Sequence, residues 1–277
     1  TATAGAFTVN GQYGVLTINE DGSYSYARNA GTPGNVSDVF TYTLKDGDND
    51  TSTATLTIAI GDSTPTNVIP GAGGLTTTVY EAGLPARGGE PAGSDSAANS
   101  ETVAGTVAFT SLDGLSAVSL GGHALTLVDQ TFSDGLTARY SYNAATGAGV
   151  ITYSYTLADN TLGDNTTASF AVVVTDADGD SAPAGNLVIN IVDDVPTARA
   201  DTDSVASGSF VAATGNVITA AGTTSGAAGV DTLGADSAKV SQVASNNVPA
   251  NVDSTATAGA FTVNGQYGVL TINEDGS

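Results

Sequence analysis

The chain has 277 residues, room for about two domains of ordinary size. Its 28 acidic against 6 basic residues give a formal net charge of −22, which disfavours nucleic acid and anionic membrane surfaces as partners. Cys is absent, which excludes a disulfide framework, a thiol nucleophile and a Cys-ligated zinc site.

Acidic chains poor in aromatics are often disordered, but here 40% of residues are hydrophobic and only 12% charged. Those apolar residues fall in short alternating runs, the pattern of a folded β-protein. No apolar stretch approaches the ~20 residues of a membrane span, and no signal peptide opens the chain. Without even an initial Met, the sequence is expected to be a segment of a longer, secreted protein.

In chain order, Val15–Ile18 and Tyr24–Tyr26 read as strands joined by the turn Asn19-Glu20-Asp21-Gly22-Ser23, with Gly22 free to take positive φ. Phe40, Tyr42 and Leu44 alternate with Thr41 and Thr43, and Leu56, Ile58 and Ile60 with Thr55, Thr57 and Ala59. Period two with Thr on the opposite face describes half-buried antiparallel strands. The stretch 82–100 is Gly/Pro/Ser-rich and reads as an exposed loop. Further strands are expected over Leu125–Val128, Ala138–Tyr142 and Val150–Leu157. Phe170, Val172 and Val174, then Leu187, Ile189 and Ile191, repeat the earlier alternation. Residues 212–251 offer few apolar anchors, so strands cannot be placed there from the pattern. The fold class is all-β, with tandem immunoglobulin-like β-sandwich domains in an elongated array.

Residues 1–23 and 255–277 are both TATAGAFTVNGQYGVLTINEDGS, which sets a period of 254 residues (255 − 1). A second, diverged repeat lies inside the first. FTYTLKDGDNDTSTATLTIAIGDSTPT, from Phe40, aligns with FAVVVTDADGDSAPAGNLVINIVDDVPT, from Phe170. Residues 1–63 are therefore read as the C-terminal half of one domain and 64–194 as a complete domain. Residues 195–277 begin the next copy of the first domain.

Chemistry concentrates in two acidic hairpins, Asp46-Gly47-Asp48-Asn49-Asp50 and Asp176-Ala177-Asp178-Gly179-Asp180. Two carboxylates ~4 Å apart repel by about 4 kcal/mol at an effective dielectric of ~20. A divalent cation removes that repulsion, and Ca²⁺, which takes ~6–8 oxygens in flexible geometry, is the expected cofactor. An EF-hand is excluded, because its twelfth position falls on Thr57 or Leu187. In a sandwich these hairpins face the linker from the preceding domain, and both linkers are acidic and then stiffened by proline: Asp62 before Pro65, Asp193 and Asp194 before Pro196. Asp62 is thus expected to meet Asp176, Asp178 and Asp180, with Glu81 as a further ligand. Asp193 and Asp194, with Asp201 or Asp203, are expected to meet the next copy's equivalents of Asp46, Asp48 and Asp50. The plainer alternative is that these are solvated Asp/Gly turns.

Catalytic readings find little. His123 is the sole histidine and no nucleophile motif accompanies it. With no Trp, a carboxylate-pair glycosidase lacks its aromatic lining. Gly71-Ala72-Gly73-Gly74 is not followed by the Lys of a phosphate loop. Asn35, Asn49 and Asn165 fit the glycosylation pattern. The chain is read as a non-enzyme.

The segments YGVLTINEDGSYSY (from Tyr13) and FTYTLKDGDNDTSTATLTI (from Phe40), with the Val192–Asp201 linker and Val79–Leu84, resemble the VCBS-like, immunoglobulin-like extender repeats of giant type I-secreted RTX adhesins. That resemblance implies a calcium-rigidified stalk of a biofilm adhesin at the bacterial surface, with ions at domain junctions. Partners would be neighbouring repeats of the same chain. Two alternatives remain open: a filament of separate chains completing one another's sheets head to tail, and a calcium-dependent carbohydrate-binding module.

Overall fold

The computed structural model describes residues 5–248 and 251–277. Almost all regular structure in them is β, with two short 3₁₀ turns at Glu81–Gly83 and Gly226–Gly229. The chain divides into two compact units. One comprises residues 1–78, 103–155 and 167–190, and the other 79–102, 156–166 and 191–277.

The first sequence segment folds as β1 (Ala6–Asn10), β2 (Gly14–Asn19), β3 (Tyr24–Arg28), β4 (Val36–Lys45) and β5 (Thr51–Ile60). β1, β2 and β3 form an antiparallel sheet in that order, and β4 pairs with β5 from Val36↔Ile60 to Lys45↔Thr51. The expected turn lies between β2 and β3, with Gly22 at φ 86. Leu16, Phe40 and Ile60 are buried, yet Leu44, on the same alternation as Phe40, is 65% exposed. Alternation fixes which face a residue takes, but burial also needs a covering layer, and these sheets have it over only part of their length.

Between residues 66 and 192 the strands are β6 (Thr66–Val68), β7 (Thr78–Tyr80), β8 (Thr102–Thr110), β9 (Ala117–Leu120), β10 (His123–Ala124), β11 (Gln130–Thr131), β12 (Leu136–Asn143), β13 (Ala148–Thr156), β14 (Asn165–Thr175) and β15 (Gly185–Val192). They build two five-stranded sheets, ordered β10-β9-β14-β15-β7 and β11-β12-β13-β8-β6. Val118, Leu120, Val172, Val174, Leu187 and Ile189 from one sheet are buried, as are Val107, Phe109, Leu136, Ile151 and Tyr153 from the other. Tyr155 and Phe170 meet between the sheets with ring centroids 5.5 Å apart. This is a β-sandwich whose inner faces carry the period-two residues.

Two sequence expectations need correcting. Leu125–Val128 is not a strand: the pairing falls earlier, at β10, and Leu125 alone is buried while Leu127 and Val128 are exposed. Residues 82–100 are only partly a surface loop, since Gly83, Leu84 and Gly93 are buried. A Cβ on Gly93 would stand 2.4 Å from the Glu81 carbonyl oxygen, so only glycine allows this close return of the chain.

The last segment holds β16 (Val243–Ala244) paired with β17 (Val252–Asp253), and β18 (Ala260–Asn264) paired with β19 (Val269–Asn273). Residues 195–242 form little regular structure beyond the 3₁₀ turn and a bridge between Thr197 and Thr232.

Candidate metal centres

The two acidic hairpins share one local geometry. The Asp46 amide donates to the Asp50 carbonyl at 3.1 Å, and the Asp176 amide to the Asp180 carbonyl at 3.0 Å. Asp46 Oδ1 accepts from the amides of Asp48 (3.2 Å) and Asp50 (2.8 Å). Asp176 Oδ1 accepts from Gly179 (3.0 Å) and Asp180 (2.8 Å). In each turn the leading aspartate therefore braces its own loop. Asn49 (φ 79) and Gly179 (φ 106) occupy equivalent left-handed positions that Asn and Gly tolerate best.

Their surroundings differ. Asp46, Asp48 and Asp50 are all exposed, though one oxygen of each lies within 4.8 Å of the others. A hydrogen bond with Asp48 holds the Asp46 carboxyl below the usual range, with turn amides assisting. Asp176, by contrast, is fully buried and its Oδ2 has no hydrogen-bond partner. The hydrogen bond with Asp176, then burial and the Asp176 charge, push the neighbouring Asp178 carboxyl up.

Asp178 also belongs to a cluster with Asp62 and Asp113, whose ligand oxygens lie within 4.8 Å of one another. Asp62 follows β5 and Asp113 lies in the turn between β8 and β9. Asp113 is buried and already has donors: Arg28 Nη2 at 3.0 Å to Oδ1 and the Ser63 amide at 2.6 Å to Oδ2. Asp113 ties the first segment to the sandwich through the Arg28 guanidinium and the Ser63 amide.

The second unit contains another cluster, Glu81, Asp193 and Asp236, again within 4.8 Å. Glu81 opens the 3₁₀ turn after β7, Asp193 follows β15, and Asp236 lies in the loop before β16. Glu81 is fully buried. Its Oε1 accepts from the Thr161 amide and hydroxyl, both at 2.7 Å, while Oε2 has no partner. Burial pushes the Glu81 carboxyl up, and the Asp236 and Asp193 charges push the same way. Asp236 accepts from the Asn160 side-chain amide. Asp194 is buried and accepts from the amide of Ser94 at 2.7 Å and from its hydroxyl.

Residues 1–62 match the bacterial cadherin-like domain family. That match spans β1 to β5 and ends on Asp62, a member of the cluster with Asp113 and Asp178. No curated protein matches the chain. Among solved structures, a point mutant of the SrpA adhesin from Streptococcus sanguinis aligns at 13% identity over 76% of this chain and 95% of that one. The TM-score is 0.29.

The expected ligand sets are thus redistributed. Asp62 stands with Asp113 and Asp178, and Asp176 adjoins them through Asp178, whereas Asp180 contributes backbone groups to its turn. Glu81 is placed with Asp193 and Asp236, in the unit that does not contain Asp62. Asp201 accepts from the hydroxyls of Ser225 (2.6 Å) and Thr223 (3.3 Å), and Asp203 from the Ser204 amide at 2.8 Å, so neither joins Asp193. Sequence reasoning missed Asp113 and Asp236. Both sit in irregular loops outside the internal repeat, and the only local signal is the Asp113-Gly114 turn dipeptide. His123 stacks on Phe132 with ring centroids 3.9 Å apart and bonds Asp134 at 2.8 Å, a purely local arrangement.

Chemically, both clusters offer only hard carboxylate oxygens around one buried member, Asp113 or Glu81, and each contains or adjoins a buried oxygen with no proton donor. Such an oxygen is costly when ionised, and a bound hard cation would satisfy it.

Proposed function

We propose that this chain is a structural repeat of an extracellular, adhesin-type bacterial surface protein, and that Ca²⁺ at its acidic clusters, each anchored on one buried carboxylate, stiffens the joints between successive modules. One site is Asp62, Asp113 and Asp178 with Asp176 beside them. The other is Glu81, Asp193 and Asp236, and Asp46, Asp48 and Asp50 form an exposed, weaker candidate. The observation that carries this reading is Glu81 Oε2, buried and unpartnered among carboxylates that follow β15 and precede β16. Three carboxylates fall short of the ~6–8 oxygens Ca²⁺ takes, so backbone carbonyls and water would complete the shell. Extracellular modules need only weak sites, with dissociation constants on the order of 10⁻⁴–10⁻³ M. The cadherin-like match of residues 1–62, the exact recurrence of residues 1–23 at a spacing of 254 and the resemblance to RTX-adhesin extenders support a length-setting rather than a catalytic role.

The deciding experiment is a thermal melt of the full chain in chelator and in millimolar Ca²⁺, beside the Glu81→Gln variant. Wild type should melt several degrees higher with calcium. In chelator at neutral pH, Glu81→Gln should be more stable than wild type by about 1–3 kcal/mol, because it removes a buried unpaired charge. The same substitution should shrink the calcium response. A wild-type melting temperature indifferent to calcium defeats the proposal.

A further inference from the structure

The two candidate centres differ in what already sits on them. At Glu81 one carboxylate oxygen is open: Oε1 is taken by Thr161, and Oε2 has no partner. Arg87 lies in the same unit, but its guanidinium is committed to Asp159 (2.7 Å) and Glu90 (3.3 Å) and pairs with none of Glu81, Asp193 and Asp236.

At Asp113 both oxygens are taken. Oδ2 accepts from the Ser63 amide and Oδ1 from Arg28 Nη2, and the Arg28 and Asp113 side chains are 31% and 1% exposed. Arg28 ends β3 and is held from its own loop as well, its Nε donating to Thr32 Oγ1 at 2.9 Å and its Nη2 to the Thr32 carbonyl at 2.6 Å. Two glycines let the chain close here. A Cβ on Gly34 would stand 2.2 Å from Asp113 Oδ2, and one on Gly114 would stand 2.5 Å from the Gly31 carbonyl oxygen and 3.0 Å from Ala177 Cβ. The loop between β3 and β4, the Asp113-Gly114 turn and the Asp176–Asp180 hairpin thus meet at close range.

Asp62, Asp113 and Asp178 bring ligand oxygens within 4.8 Å, and fully buried Asp176, whose Oδ2 is unpartnered, adjoins Asp178. Among the described residues, Arg28 is the one cationic side chain paired with a member of this set. A guanidinium there occupies an oxygen that a divalent ion would take, and it repels the ion as well.

Given both clusters as calcium centres, the reading proposed above, we infer that Arg28 is the resident counter-ion of the Asp62–Asp113–Asp178 centre and sets its affinity. Calcium enters that centre only by displacing the guanidinium from Asp113 Oδ1, so it fills after the Glu81 centre. Without calcium, Arg28 holds the β3–β4 loop on Asp113 in the ion's place.

The test is a calorimetric titration of the full chain with CaCl₂. Asp178→Asn leaves the Glu81 centre to report, and Glu81→Gln leaves the Asp62 centre, which should bind about tenfold more weakly. Adding Arg28→Gln to Glu81→Gln should tighten that remaining site about tenfold, and adding Asp178→Asn as well should abolish the gain. Arg28→Lys keeps the charge and loses the fork, so it folds and should tighten the site by only about threefold. Melting separates this role from a merely structural one. Arg28→Gln should lower Tm in chelator, where Asp113 is left buried and unpaired, and return close to the wild-type value in saturating calcium. The assignment of Arg28 is overturned if neither Arg28 variant binds calcium more tightly, or if Arg28→Gln loses as many degrees with calcium as without it. Absence of any calcium binding by wild type overturns instead the reading of both clusters as calcium centres, and the assignment with it.

Discussion

At the residue scale, Asp38 shows how a carboxylate is kept charged inside this protein. It is 4% exposed and accepts from the amides of Gln12 (2.8 Å) and Tyr13 (3.1 Å) and from the Tyr26 hydroxyl (2.7 Å). Burial works to raise its pKa, but the Tyr26 bond and the two amides outweigh it and hold the carboxyl below 3.8. Burial, then the bond to Asp38, push the Tyr26 hydroxyl up to about 12. The linkage signs follow from these directions. Asp38 contributes stability that is present above pH 3.8 and is lost as pH falls through its lowered folded value. Tyr26 contributes stability that is present below pH 10 and is lost as pH rises toward about 12. Asp38→Asn should cost about 1–3 kcal/mol at neutral pH and flatten the acid limb of a pH–stability profile measured by urea unfolding. Glu81 has the opposite acid behaviour. Its pKa is raised, so its contribution in chelator is complete below pH 4.5 and declines as pH rises through the raised folded value. Asp38 was not legible from sequence, since it lies in no motif. Glu81 was expected as a ligand, but that its carboxylate is buried and unpartnered becomes visible only when distant loops are brought together.

At the element scale, one glycine sets how the sandwich packs. Gly149 on β13 lies opposite Tyr142 on β12, and a Cβ there would meet Phe109 Cζ at 2.0 Å. Phe109 and Tyr142 stack with ring centroids 6.4 Å apart and planes 7° from parallel, so the ring of Phe109 fills the space a side chain would need. Gly149→Ala should destabilise by about 1–3 kcal/mol through overpacking, read as a lower melting temperature with calcium affinity unchanged. Strand placement was largely legible, because Phe170, Val172, Val174, Leu187 and Ile189 declare their inward face by period two and the structure buries all five. The same rule placed the paired turns, since the alignment of Asp46 with Asp176 transfers the loop conformation from one to the other. It failed at Leu125–Val128, where a run of apolar letters has one anchored residue and two exposed ones. It was silent over residues 212–251, where, among the described residues, only a 3₁₀ turn and β16 are regular and periodicity has little to report.

At the scale of the whole molecule, a formal net charge of −22 acts against compaction in the absence of bound cations. Raising NaCl to about 0.5 M should stabilise the chelated chain, because the Debye length falls to a few Å and surface repulsion is screened. A calcium response at the clusters anchored by buried Asp113 and Glu81 should survive that salt better, since buried charges are screened less, than any response at Asp46, Asp48 and Asp50, all three exposed. Calorimetric titrations at low and high salt would separate the two. The repeat at residues 1–23 and 255–277 has a separate implication for how such a chain acquires its structure. Because β1–β2 and β18–β19 keep one register beside different neighbours, their shape is dictated by their own nearby residues. Hairpins of this kind close in ~1–10 μs, well before distant strands meet. A growing polypeptide would therefore present a ready-made template edge at each copy of this hairpin, onto which later strands could add in turn.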